Sequence, residues 1–300
     1  MFIGNSYIIP AISNLPGQSP RMKPGFAFEF KKNEDSWFEA SDNSVANYKG
    51  LAISCWIKLP DSFFVDFDPD PNLPIAPTET QHILDKYGFA GGIASGYRLI
   101  LEKGQNASRS TFRRLVWQIA DGEGNQIRTF VNINSLSGST VYLITASAYI
   151  GSRSETRLFI KGRNNVLLTD ANVLPKIVGQ AGVPLVLGNA NPTSTLLEYD
   201  GDLDEVAIWR DKEMNELITN EIFYWISNRD LNNLQHISPP NYWWRMGENA
   251  SIVVVNNQDE YELPNQGSEG SNIVLTGTGT INNRISPGLP NQLYNPALLL

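Results

Sequence analysis

Between Phe26 and Trp209, hydrophobic and polar positions alternate with a period of two. Phe26, Phe28 and Phe30 are separated by Ala27 and Glu29. In the run Leu51 to Leu59, Leu51, Ile53, Cys55, Ile57 and Leu59 fall on one side, and Ala52, Ser54, Trp56 and Lys58 on the other. Successive side chains of a strand point to opposite faces, so the run predicts a strand with one buried face. It also puts Cys55 in the core, where a lone thiol behaves as a small, inert hydrophobe. Further strands are predicted at Tyr97–Glu102, Arg114–Ala120, Ile127–Ile133, Val141–Ile150, Arg157–Lys161 and Pro184–Leu187, with turn residues between them as in Asp121–Asn125 and Lys161–Asn165. Parallel strands need long crossovers, and none separates these runs. The reading is therefore all-β and antiparallel, a sandwich or barrel.

After Trp209 the period changes. Leu217, Ile218, Phe223, Trp225 and Ile226 are spaced for one face of a single short helix ending near Asn233. Asn215 is placed to cap it, because its side-chain carbonyl accepts from an unpaired first-turn amide. The helix is expected to lie across one edge of the sandwich. Pro239-Pro240 then breaks the chain, and Trp243-Trp244 opens an Asn/Gly-rich extension with one predicted strand, Ser271–Thr276. The chain divides into an N-terminal arm (1–24), a sandwich domain (25–235) and a C-terminal extension and tail (236–300).

Composition narrows the function classes. Of the 300 residues 41% are hydrophobic and only 18% charged, which is too apolar for a disordered chain. The net charge of −8 opposes a nucleic-acid surface, which needs clustered Lys and Arg. One cysteine excludes an internal disulfide framework and a Cys-based zinc site, and two histidines leave little for His-dependent catalysis or metal binding. The first twenty residues carry no basic start or apolar core of a leader, and no run of about 18–20 apolar residues predicts a membrane span.

Against this background several segments match a known family. Asp200-Gly-Asp-Leu-Asp-Glu-Val-Ala-Ile-Trp209, followed by the helix from Met214 to Trp225, resembles the closing strand and helix of laminin G-like, concanavalin A-like jelly rolls. Ile53–Ile57, Arg157–Gly162 and Pro184–Gly188 resemble that family's earlier strands and occur in its order, over roughly residues 25–235. The resemblance implies a jelly-roll β-sandwich. A second resemblance lies in Asn241-Tyr-Trp-Trp-Arg-Met-Gly-Glu-Asn249, similar to a block that follows such domains in tailed-bacteriophage structural proteins. It implies a virion protein assembled in the bacterial cytoplasm, a setting consistent with the lack of cystines. Trp243 and Trp244 are expected to anchor the extension, with Arg245 stacked on a ring or paired with Glu248.

Candidate chemistry is sparse. Laminarinase-type hydrolases share the jelly roll and need a pair of flanking carboxylates, but their Glu-x-Asp-x-x-Glu pattern is absent. Asp202 and Asp204 share a strand face, together with Val206 and Ile208. His82 has no Gly-x-Ser-x-Gly elbow to serve. The resemblance also implies a rim calcium ion, for which Asp204 and then Asp202 are the matching residues. Gly88–Gly96 lacks the Lys-Ser/Thr ending of a phosphate loop and reads as a flexible hairpin loop. Trp37 is the candidate for stacking on a sugar. In the long acidic segment Pro60–Gln81, Phe63, Phe64 and Phe67 either fold back onto the sandwich or form a contact surface. The terminal Leu298, Leu299 and Leu300 are the other candidate contact, with neighbouring subunits or further copies of the chain. The sequence thus predicts a non-enzymatic bacteriophage structural protein that binds other virion proteins, in capsid or tail, with host-surface glycan binding as the alternative and glycoside hydrolysis a distant third.

Overall fold

The computed structural model describes residues 27–34, 36–40, 47–138, 141–150, 154–161, 168–170, 177–178, 182–190, 196–227, 231–246, 250–255, 258–269, 274–278 and 280–282. The arm 1–24, the turn residues 162–165, the end of the tryptophan block (247–249) and Leu298–Leu300 lie outside the described residues.

In chain order the strands begin β1 (Ala27–Phe30), β2 (Trp37–Ala40), β3 (Asn47–Tyr48), β4 (Gly50–Lys58), β5 (Glu79–Ala90), β6 (Ile93–Gln105), β7 (Thr111–Asp121) and β8 (Gln126–Asn132). They continue with β9 (Val141–Ile150), β10 (Ser154–Lys161), β11 (Leu168–Asp170), β12 (Ile177–Val178), β13 (Leu185–Leu187) and β14 (Gly201–Arg210). After helix α1 (Glu216–Ser227) come β15 (Tyr242–Trp244), β16 (Ser251–Val255), β17 (Gln258–Leu263), β18 (Leu275–Thr278) and β19 (Thr280–Asn282). They form two antiparallel sheets packed as a jelly-roll sandwich. The eight-stranded sheet runs β11-β10-β9-β4-β14-β1-β19 with β15 also on β14, and the nine-stranded sheet runs β16-β17-β18-β2-β13-β5-β6-β7-β8. β3 and β12 make a separate small pair.

The alternation in β4 is realised, but both of its faces are buried rather than one. Leu51, Ile53, Cys55 and Ile57 enter the core between the sheets, while Ala52 and Trp56 face outward. Burial pushes the Cys55 thiol pKa up to about 12. Phe28, Phe30 and Phe38 meet edge-on at the centre, with ring centroids 4.6 Å (Phe28–Phe38) and 6.0 Å (Phe30–Phe38) apart. Each such ring contributes about 1.5–3 kcal/mol by burial, and Phe38→Ala would cost about 3–5 kcal/mol through the cavity it leaves.

Four expectations are corrected. First, α1 packs on the outer face of the eight-stranded sheet rather than across an edge: Ile218, Ile222 and Trp225 join Trp56, Phe159 and Trp209 there. Leu217 points away and is 55% exposed. The Asn215 side chain accepts from the Ile218 amide at 2.9 Å, as a cap should. Second, Gly88–Gly96 is an extended hairpin joining β5 and β6, with only Gly91 and Gly92 as turn residues. Their φ of 59° and 82° suit the two-residue turn that matches strand twist.

Third, the described residues between 236 and 282 are built into the sandwich rather than set apart from it. β15 pairs with β14, β18 with β2 and β19 with β1, so the extension supplies strands to both sheets. Trp244 and Met246 enter the core, while Trp243 lies on the outer face. Fourth, Asp202 and Asp204 do not share a face with Val206 and Ile208. Glu205, at φ 50°, inserts an extra residue: Asp204 pairs with Trp56 but Ala207, three residues on, pairs with Ser54. This bulge moves Val206 and Ile208 to the core side and leaves the two aspartates outside.

Candidate functional site

The outer face of β5–β8 is where unusual side chains converge. In β6 and β7 the inward positions are Tyr97, Leu99 and Leu101, and Leu115, Trp117 and Ile119. Strand parity therefore turns Arg98 and Glu102, and Arg114 and Gln118, to the opposite surface. The pairing of β7 with β8 adds Gln126, Arg128 and Phe130 beside them. The outward positions of β6–β8 thus carry three guanidiniums and one carboxylate, on a chain whose net charge is −8.

Rings hold these guanidiniums flat. Arg98 lies 4.4 Å above the Tyr87 ring centroid, and its Nε and Nη2 donate to Gln118 Oε1 at 3.1 and 2.9 Å. Gln118 Nε2 donates to Gln126 Oε1 at 3.1 Å, and the Tyr87 hydroxyl donates to the same oxygen at 3.0 Å. Burial, opposed by the Arg98 charge, pushes the Tyr87 pKa up, so the hydroxyl stays a donor at neutral pH. Arg114 is placed differently. Its guanidinium carbon is 4.5 Å from both the Phe112 and Phe130 rings, and its Nε is buried with no hydrogen-bond partner. Arg128 ion-pairs with Glu102 across β7. At the hairpin tip Phe89, 67% exposed, meets Tyr87 edge-on at 5.7 Å. The result is a pre-ordered patch of guanidinium planes, amides and rings, suited to binding an anionic or hydroxyl-bearing surface.

The sequence candidates are placed as follows. Trp37 is half-buried on the outer face of β2, on the same side of the sheet as the patch but two strands from β5. Phe63 is a core residue and Phe64 packs against the core, so neither is an exposed contact. Phe67 is half-buried beneath the Lys103 ammonium, 4.7 Å from its ring centroid. The cause is Arg113, whose Nε and Nη2 donate to the Phe63 and Phe64 carbonyls at 2.9 and 2.7 Å and pull the segment down. The large hydrophobic side chains that remain exposed in this segment are Val65, Leu73 and Ile75.

Asp202 and Asp204 are both buried. Asp202 lies 3.8 Å from the Lys58 ammonium, and Asp204 Oδ1 accepts the Glu205 amide at 2.8 Å. Neighbouring Glu205 accepts from Trp243 Nε1 at 2.5 Å and Arg245 Nε at 3.4 Å, and Arg245 lies over the Trp243 ring. Among the described residues no three carboxylate, His or Cys side chains converge as a cation site. The two carboxylates are turned instead to protein partners, Asp202 to the Lys58 ammonium and Asp204 to the Glu205 amide.

A buried His–Asp pair was not legible beforehand. His82 Nδ1 is 2.5 Å from Asp85 Oδ2, across the bulge between His82 and Leu84 in β5. This is the geometry of a base and its orienting carboxylate, but both side chains are buried and no hydroxyl or thiol of the described residues is bonded to the ring. Its evident work is to pin the bulge, together with the His82 amide bond to the Leu197 carbonyl at 3.0 Å.

No protein-family model matches the chain, and no curated protein matches it. Among solved structures, tailspike protein 2 of the Escherichia coli O157:H7 bacteriophage CAB120 is similar over 68% of this chain and 24% of its own, at 10% identity and a TM-score of 0.43. Mouse laminin alpha1 domains LG4-5 match over 64% of this chain and 43% of theirs, at 14% identity and a TM-score of 0.36. The receptor-binding domain of botulinum neurotoxin mosaic serotype C/D matches over 86% and 74%, at 11% identity and a TM-score of 0.39. The chain thus spans less than half the length of the first two.

The sequence signal for the patch was present but ambiguous. An arginine on the outward side of an alternating strand ordinarily reads as a solvated residue. Only the ring at 112, two residues back on the same strand, together with the diagonal neighbour at 130 on β8, reveals that Arg114 is sandwiched.

Proposed function

We propose that the protein is a non-enzymatic binding component of a tailed-bacteriophage particle, and that the outer face of β5–β8 is its contact surface for an acidic patch on another virion protein. One observation carries this reading: Arg114 is held between two rings with its Nε buried and unbonded, an arrangement that fixes a guanidinium without using its donors. Exposed Nη groups presented in this way match a carboxylate in bidentate fashion. The phage setting rests on the resemblance of residues 241–249 and is tested separately. Immunogold labelling of intact particles should place the protein on capsid or tail; absence from purified particles would remove the setting. Added back to particles that lack it, the unmodified protein should bind about tenfold more tightly than Arg114→Ala, a difference of about 1.4 kcal/mol. Equal binding would remove the face.

A second reading, a host-surface glycan as ligand, is favoured by the Arg98–Tyr87–Gln118–Gln126 network, whose amides and hydroxyl resemble the donors and acceptors that orient sugars. A glycan array probed with unmodified protein, Arg98→Ala and Trp37→Ala tests it. No binding of the unmodified protein to any sugar would end this reading.

A further inference from the structure

We infer that β16 is a self-association edge: two copies of this chain pair their β16 strands antiparallel about a two-fold axis at Val253, joining their nine-stranded sheets into one. β16 ends the sheet, and among the described residues it pairs only with β17. Among the described residues, one side of its backbone therefore has no strand partner for its amides and carbonyls. Proteins ordinarily protect such edges with charge, proline, a bulge or a covering element. The opposite edge of the same sheet is protected in this way, since β8 carries Arg128 and lies against β10 and β11. The run Ser251-Ile-Val-Val-Val255 has no charge and no proline, and it pairs with β17 without a bulge.

The side chains sharpen the case. Ile252 pairs with Tyr261, which packs against the core, so Ile252 and Val254 lie on the core side of the sheet. Yet they are 63% and 70% exposed, whereas Leu263 on the neighbouring strand is fully buried. The nine-stranded sheet overhangs at this edge.

Charge selects the occupant. An edge shaped for an acidic or basic peptide would carry the opposite charge on the edge strand itself, and β16 carries none, the nearest carboxylates being Asp259, Glu260 and Glu262 of β17 one strand behind it. A second copy can approach without setting like charges opposite one another, despite the net charge of −8. Antiparallel pairing centred on Val253 sets Ile252 opposite the second copy's Val254, and the reverse. The contact is thus self-complementary, as a two-fold interface requires. A pairing of this length is small, so the dimer is expected to be weak in dilute solution.

Sedimentation velocity on the full chain, from about 5 to about 500 micromolar, reads this directly, because a weak interface shifts with concentration over that range. The unmodified protein should move from one copy to two and stop there. Val254→Lys and Ile252→Lys, both at exposed positions, should stay single at every concentration with unchanged far-ultraviolet circular dichroism. Val254→Thr, which keeps the branched shape, covers the case of a lysine variant that fails to fold, and should weaken association by about tenfold. Arg114→Ala should dimerise normally, which keeps this result separate from that of the contact face. A single copy throughout, open-ended growth beyond two, or full association of the lysine variants would each overturn the inference.

Discussion

Adjacent arginines on β7 give a test of what the outer face is for. Arg113 and Arg114 point to opposite sides of the sheet, and the structure gives them opposite roles. Arg113 is buried, and its guanidinium donates to two backbone carbonyls and to Asp66 Oδ1 at 2.7 Å. Asp66 is 74% exposed, so that ion pair adds little. The two carbonyl bonds, with a charged donor, are worth about 1.5–3 kcal/mol each. Arg113→Met should therefore cost about 3–6 kcal/mol. Arg114→Met loses two ring contacts of about 0.5–1 kcal/mol each. It also removes the buried Nε–H, whose desolvation without a partner costs about 1–3 kcal/mol. These effects nearly cancel, and methionine keeps the apolar stem packed. The net change should lie within about 1 kcal/mol of zero. At roughly 2 °C per kcal/mol for a chain of this size, Arg113→Met should lower Tm by about 6–12 °C and Arg114→Met by under about 2 °C. Thermal unfolding followed by near-ultraviolet circular dichroism, with urea titrations alongside, measures both. If Arg114→Met costs as much as Arg113→Met, then Arg114 is held for stability, and the case for a binding face built around it fails.

Other consequences are open to measurement. The folded Cys55 thiol, at about 12, keeps its proton where the unfolded thiol, near about 8.5, has lost it. Stability should therefore fall as pH rises above about 8.5, by up to about 1.4 kcal/mol per pH unit, and Cys55→Ala should flatten that slope in urea titrations between about pH 9 and pH 10. Tyr199, also fully buried and raised well above its ordinary value by desolvation, adds loss of the same sign at higher pH. Asn215→Ala should destabilise by about 1 kcal/mol through loss of the helix cap, seen as a lower urea midpoint with unchanged slope. Calcium and EDTA should leave Tm unchanged. A calcium-dependent rise abolished by Asp204→Asn would instead restore the ion to that strand.

Much of the sandwich could be read from alternation, and the reasons for the exceptions are physical. β4 and β9 each carry a clean apolar alternation and announce themselves, although the structure buries their second face as well. β5 does not, because His82, Asp85 and Lys86 interrupt its pattern, and each is buried by a particular partner or cleft rather than by hydrophobicity. β16 and β17 sit in an Asn-rich stretch whose turn residues mask two short strands. The bulge at Glu205 was invisible because it needs a left-handed backbone at a residue that rarely adopts one. Its effect was to misassign the faces of Asp202 and Asp204. For the candidate site, the residue types on β6–β8 were visible but not their juxtaposition. Arg98 meets Tyr87 and Arg114 meets Phe130 only once three hairpins are stacked in register.

The strands supplied by residues 242–282 also govern how this protein comes into being. β18 sits between β17 and β2, and β19 closes on β1, so nearly the first described strands find their neighbours among the last. Contacts this distant in sequence raise contact order and slow folding. On the ribosome β1 and β2 find one neighbour each in β14 and β13, but their second edges stay open until the final quarter of the chain has emerged. Addition of β18 and β19 is thus the step at which the growing, adhesive chain is closed into a finished sandwich.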